Sequence, residues 1–252
     1  MIGAIAGDII GSVFEHNPIK TTTFPLFAKT SRFTDDTVLS VAVADAILNR
    51  TDYANVLKTY GRMYPTAGYG MSFFSWMQSD DPKPYHSWGN GSAMRVSAVG
   101  FAFDSVREVL REARDSAAAT HDHPEGIKGA QATALAIFLA RQGAAKSDIR
   151  RDIRNRFHYN LDRSLAEIRP HYAFDISCQG SVPESIIDKL DTGQGLTADE
   201  SRLLAIYPSL GADLISDIPR LGKVAVSTGL HPIGLTVWQT LIMAVVLTIA
   251  VR

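Results

Sequence analysis

The chain reads as an all-α protein. Apolar residues recur at helical spacing in several long segments, and sustained period-two alternation is hard to find anywhere. Its 252 residues, 46% hydrophobic and 20% charged, suffice for one substantial core and carry no disorder-like bias.

Taken in order, Gly7-Asp8 and Gly11-Ser12-Val13-Phe14-Glu15 set a carboxylate at either end of a short, glycine-punctuated helix or turn. Val38 to Leu48 is apolar on nearly all sides, which predicts a helix buried among neighbours. Val106 to Ala119 mixes apolar and charged positions like a surface helix, and Pro124 to Gln142 starts with Pro-Glu and runs through alanine-rich turns. Ser147 to Phe157 and Leu161 to Ile168 continue the helical pattern with a charged wet face. Thr21 to Phe33, Tyr64 to Ser97 and Phe174 to Pro183, rich in Gly, Pro, Ser and aromatics, read as the loops that carry function.

Charge and cysteine content exclude some classes. Twenty-five basic residues against 26 acidic ones give no field for nucleic acid or an anionic surface. The single cysteine, Cys178, excludes an internal disulfide framework and a thiolate metal cluster, and fits a reducing compartment. An acid, Asp8, interrupts the first apolar run and no basic n-region precedes it, so secretion is not expected and the cytoplasm is.

Five segments are candidates for chemistry. Phe33-Thr34-Asp35-Asp36-Thr37 gathers hard oxygens before an apolar helix, which suits Mg²⁺; ordinary helix capping explains the same residues. Asp8 and Glu15 are further carboxylates, with a cap and a surface acid as the simpler reading. Trp88-Gly89-Asn90-Gly91-Ser92-Ala93-Met94-Arg95 offers small residues, an amide, a hydroxyl and a cation for a phosphate and ribose cradle, or merely a Gly-Asn-Gly turn. His121-Asp122-His123 could seat zinc, although further ligands are missing nearby. Cys178, in Phe174-Asp175-Ile176-Ser177-Cys178-Gln179-Gly180-Ser181, has no cysteine-hydrolase signature around it and reads as a small buried residue.

In this order, GDIIGSVFE, FTDDT, GNGSAMRVSAVGFAFD, THDHPEGIKGAQATALAIFLAR and FDISCQGSVPESI resemble the bacterial branch of the ADP-ribosylglycohydrolase family, that of the dinitrogenase-reductase-activating glycohydrolases, over about residues 1–187. The resemblance implies a compact multi-helix fold in which two Mg²⁺ ions hold the ribose hydroxyls of ADP-ribose beside a catalytic carboxylate and water. It implies Thr34, Asp35 and Asp36 as metal ligands, and Glu15 and Asp35 as catalytic. Asn90, Gly91, Ser92, Met94 and His121 become ADP-ribose contacts, and Arg95 a phosphate ligand or a structural support. The reaction implied is Mg²⁺-dependent hydrolysis of the bond linking ADP-ribose to a modified protein or small molecule.

Members of the family close the metal site with a C-terminal Gly-Gly-Asp-x-Asp-Thr segment that this chain lacks. Its nearest candidate, Ser209 to Asp217, holds Asp213 and Asp217 at a different spacing. Residues 188–252 therefore read as a diverged or frame-shifted segment packed on the 1–187 domain, and a catalytically inactive ADP-ribose-binding protein is the alternative. Pro232 to Val251 carries no charge and is long enough to span a bilayer; a buried helix replacing a core helix is the favoured reading, and membrane attachment is not expected.

Overall fold

The computed structural model describes residues 2–21, 24–25, 27–81 and 83–192. These residues are helical, with no strand among them and one isolated antiparallel bridge between Gly89 and Ser177.

Helix α1 spans Ile2–Gly11 and packs on α2, Asp35–Asn49. Thr34 caps α2 by accepting the Asp36 amide, and Arg50 ends it in the left-handed region at φ 52°. Next come α3, Tyr53–Met63, capped by Asp52, and α4, Met71–Gln78, followed by a single 3-10 turn at Asn90–Ser92. Helix α5, Ser97–Ala102, leads to α6, Val106–Ala118, whose cap is Ser105. Helix α7, Pro124–Arg141, starts with proline in its first turn, where a missing N–H costs nothing. Helices α8, Lys146–Phe157, α9, Leu165–Ile168, and α10, Cys178–Thr192, complete the order.

Helix α7 is the axis of the packing, touching α5, α6, α8, α10 and the 3-10 turn. Its small residues make this contact close: Ala130, Ala132, Ala134 and Ala136 are buried alongside Leu135, Ile137 and Phe138. The helices α2, α6, α7 and α8 lie where the apolar periodicity puts them.

Three expectations are corrected. The Tyr64 to Ser97 loop contains α4, because Phe73, Trp76 and Met77 bury an apolar face whatever their modest helix propensity. Only Leu165–Ile168 of the expected 161–168 helix forms, since the Ser164–Glu167 capping box starts a helix there. The Phe174 to Pro183 loop turns helical at Cys178, with Pro183 inside α10. Helices α3 and α5 were not foreseen at all. The readings of Asp213, Asp217 and the 232–251 run lie outside the described residues, among which no helix is long and apolar enough to cross a membrane.

Contact between α5 and α7 requires glycine at 100. A Cβ there would lie 2.6 Å from Ile137 Cγ2 and 2.9 Å from the Ala134 carbonyl oxygen, which cannot swing aside. Gly100→Ala is therefore expected to destabilise the fold by about 1–3 kcal/mol, despite alanine's better helix propensity. Urea denaturation checks this, and an unchanged or raised midpoint would refute the close packing.

Candidate active site

The acidic cluster is assembled at the start of α2. Asp8, on the last turns of α1, is buried and turns its carboxylate onto the N-terminus of α2. It accepts the Thr34 amide at 2.7 Å, the Thr34 hydroxyl at 2.5 Å, the Thr37 amide at 3.2 Å and the Thr37 hydroxyl at 2.5 Å. Two helices are thereby fastened by four hydrogen bonds to one carboxylate. Burial still outweighs these bonds and raises the carboxyl above its ordinary range. Asp8 was visible in the sequence as a carboxylate beside glycine, with a helix cap as the simpler reading; its partner helix is distant in sequence, and only the fold reveals it.

Asp36 is buried beside Thr34. The Thr34 hydroxyl lies 3.2 Å from Asp36 Oδ2 but has one hydrogen, and the shorter contact is to Asp8. Asp36 Oδ1 has no hydrogen-bond partner among the described residues. Burial, then the charges of Asp8 and Asp35, push the Asp36 carboxyl well above its usual range. Asp35 is half-buried, donates its amide to the Ala67 carbonyl at 2.9 Å, and stands beside Gly68. Its carboxyl is raised to about 7 by burial, with Asp8 and Glu15 adding repulsion. Gly68 has φ +103°, a conformation that side chains rarely adopt, so the chain passes the acid without a side chain of its own.

Glu15 follows α1, in a turn held by the Arg32 amide donating to Ser12 Oγ at 3.1 Å. Burial raises its carboxyl; His16 opposes the shift and Asp8 adds to it. The sequence-predicted Glu15, Thr34, Asp35 and Asp36 are thus brought into one field.

These donors are hard oxygens, crowded and like-charged, with one buried oxygen unpaired, and they fit one wall of a hard divalent cation site. They do not close around a point: among the described residues no three His, Cys, Asp or Glu side chains are grouped so as to hold a metal ion. Asp8 is turned to Thr34 and Thr37 instead.

The second cluster surrounds the 3-10 turn. Asn90 is an anchor: its amide donates to the Ile176 carbonyl at 2.7 Å and its Nδ2 to Ser181 Oγ at 3.1 Å. Gly91 lies against His121, where a Cβ would be 3.1 Å from Nε2. Ser92 is fully buried and donates to the Gly126 carbonyl at 2.7 Å. Met94 packs in the hydrophobic core. The side chains of Ser92 and Met94 therefore support the turn from within. His121 is buried against the turn, and its pKa is held well below 6.5 by burial and by Arg95.

Tyr85, absent from the sequence reading, joins the clusters. Its ring packs edge-on to His121 at 5.8 Å, and its phenol, raised to about 12 by burial, feels both Arg95 and Asp35. A lone tyrosine within a loop gives no sequence signal of this. Two surface hollows, one lined by Lys20, Leu165 and Arg169 and the other by Arg154, His158 and Asn160, include none of these residues.

Two alternatives fall. The imidazoles of His121 and His123 have separate partners, Thr120 for the first and the Glu125 amide for the second, so they form no zinc pair. Cys178 is fully buried, its thiol donates to the Gly89 carbonyl at 3.1 Å, and burial pushes its pKa up to about 12. It is a packing residue, as expected, and not a nucleophile.

Removing the Asp8 carboxylate strands four donors. Asp8→Ala is expected to lower stability by about 2–3 kcal/mol. Equilibrium unfolding checks it, and a change too small to measure would show that Asp8 does not fasten α1 to α2.

ADP-ribosylhydrolase ARH3 of Xenopus tropicalis is 31% identical over 174 residues, 57% of this chain and 49% of that protein. The ARH3 of Mus musculus is 30% identical over 251 residues, 86% of this chain and 63% of the mouse protein. This chain thus spans between about half and two thirds of the length of these relatives. A solved structure of an ADP-ribosylglycohydrolase-related protein complex matches with a TM-score of 0.64 at 17% identity, covering 99% of this chain and 84% of that one, which shows a shared fold. With the sequence model of the ADP-ribosylglycohydrolase family matching residues 1–229, past the 187 at which the motif resemblance ends, the chain belongs to that family.

Proposed function

We propose that this chain is a Mg²⁺-dependent glycohydrolase that cleaves the bond joining ADP-ribose to a modified protein or small molecule in the cytoplasm. Family membership supports the reaction class. The observation that carries the metal dependence is the Thr34-Asp35-Asp36 wall, with its unpaired buried Asp36 oxygen and no compensating cation among the described contacts.

In this reading Thr34, Asp35 and Asp36 hold two Mg²⁺ ions. Bound Mg²⁺ supplies positive charge that polarises water and engages paired hydroxyls. Asp8 keeps the ligand-bearing turn in place through its bonds to Thr34 and Thr37. Glu15, partly buried with a raised carboxyl, orients the attacking water and takes its proton at a carboxylate oxygen. Asp35, half-buried in the wall, faces the positive charge that grows at the anomeric carbon. The Asn90–Gly91 turn and His121 receive the ADP-ribose at the other end, fixing it before reaction.

One observation favours a second reading, an inactive ADP-ribose-binding protein: the described carboxylates form only one side of a cation site. Release of free ADP-ribose from a modified substrate separates the two. Turnover is expected in Mg²⁺, none with a chelator, and a loss of at least about 100-fold in Asp35→Asn. Thr34, not Asp35, caps α2, so that variant should melt no lower than the parent. Full turnover by Asp35→Asn would sink the metal assignment, and no turnover by the parent chain would favour the inactive binder.

A further inference from the structure

We propose that Arg95 is a positioning residue that acts through Thr120 to hold His121 as the neutral Nε2–H tautomer, a hydrogen-bond donor at the Asn90–Gly91 turn.

Arg95 is 0% exposed, and no described carboxylate pairs with it. Its Nη2 donates to the Ser116 carbonyl and to Thr120 Oγ1, each at 2.9 Å, while Nε and Nη1 meet no acceptor among the described residues. A buried cation without a counter-ion is costly, and filling the same space would need only an apolar side chain such as methionine. The arginine therefore does something that packing alone does not require.

Guanidinium can only donate, so Thr120 Oγ1 accepts from it. The cation orients the hydroxyl with its oxygen towards Arg95 and its one hydrogen away. Away from Arg95 lies His121 Nδ1, 2.7 Å from Oγ1. The Tyr85 phenol, kept neutral by burial, hydrogen-bonds the same hydroxyl and, as the stronger acid of the two, also donates to it, so both lone pairs of Oγ1 are taken and its one hydrogen is left for His121. Nδ1 is then the acceptor, and the ring proton resides on Nε2. The positive charge of Arg95 and the burial of the ring both oppose a second proton.

Nε2 lies at the turn: a Cβ on Gly91 would sit 3.1 Å from it, and one on Gly89 3.7 Å. Glycine at these positions leaves the N–H facing main chain rather than side chain. Where the turn receives ADP-ribose, a step that rests on the proposed function, His121 donates to a phosphate or hydroxyl oxygen and accepts no proton there.

The test is a two-bond ¹H–¹⁵N correlation spectrum of the imidazoles in the full chain, with His121 assigned by comparison with His121→Gln. The parent protein should give the neutral Nε2–H pattern, unchanged from neutral to mildly acidic pH. Arg95→Lys should retain it; Thr120→Val should release the tautomer and weaken ADP-ribose binding about tenfold. An Nδ1–H pattern, or ordinary charging of His121, in the parent protein would overturn the proposal, and so would an unchanged tautomer in Thr120→Val. These spectra need no ligand, so a parent protein that fails to bind ADP-ribose would defeat the proposed function while the tautomer is still read.

Discussion

One carboxylate sets the terms for the rest of the site. Asp8 takes the amide and hydroxyl hydrogens of Thr34 and Thr37, so α1 and α2 meet at a charge and not only through apolar contact. A second consequence is electrostatic: burial raises the carboxyls of Glu15, Asp35 and Asp36, and the charge of Asp8 adds to each shift. In a medium of low polarisability, such crowding is relieved by protons or by a cation. The bonds that give the turn its shape therefore also give it its need for positive charge.

Across Tyr85 the situation is reversed. Arg95 is buried with no partner acid among the described residues, burial and then Arg95 hold the His121 pKa well below 6.5, and Gly91 of the Asn90–Ser92 turn packs against the imidazole. Under the proposed function, one end would hold the cations and the other the phosphates of ADP-ribose. Rigidity comes from α7, whose small residues let α5, α6, α8 and α10 approach closely and whose start lies next to the turn.

Much of the scaffold was legible because it was written locally. Helix α7 runs Pro124–Arg141 against an expected Gln142 end, and α6 ends at Ala118 against Ala119, since the leading proline, the alanine-rich turns and the apolar periodicity signal from within the helix itself. Helix α4 was hidden by Phe, Ser and Trp, whose helicity comes from burial against neighbours and not from propensity. The start of α10 was hidden by Gly180 and Pro183, which read as breakers. At the site, Thr34, Asp35 and Asp36 stood out as consecutive hard ligands. The four-way role of Asp8, the bridging position of Tyr85, and the inward turn of Ser92 and Met94 depend on contacts between segments distant in the chain. No spacing rule reaches them.

Calorimetric titration of ADP-ribose into the full chain, with and without Mg²⁺, tests the central claim most directly. If the acidic wall works through a cation, binding is tight in Mg²⁺ and lost when a chelator removes it. Equal affinity in both conditions would mean that the crowded carboxylates do not serve ligand recognition, and would contradict the account.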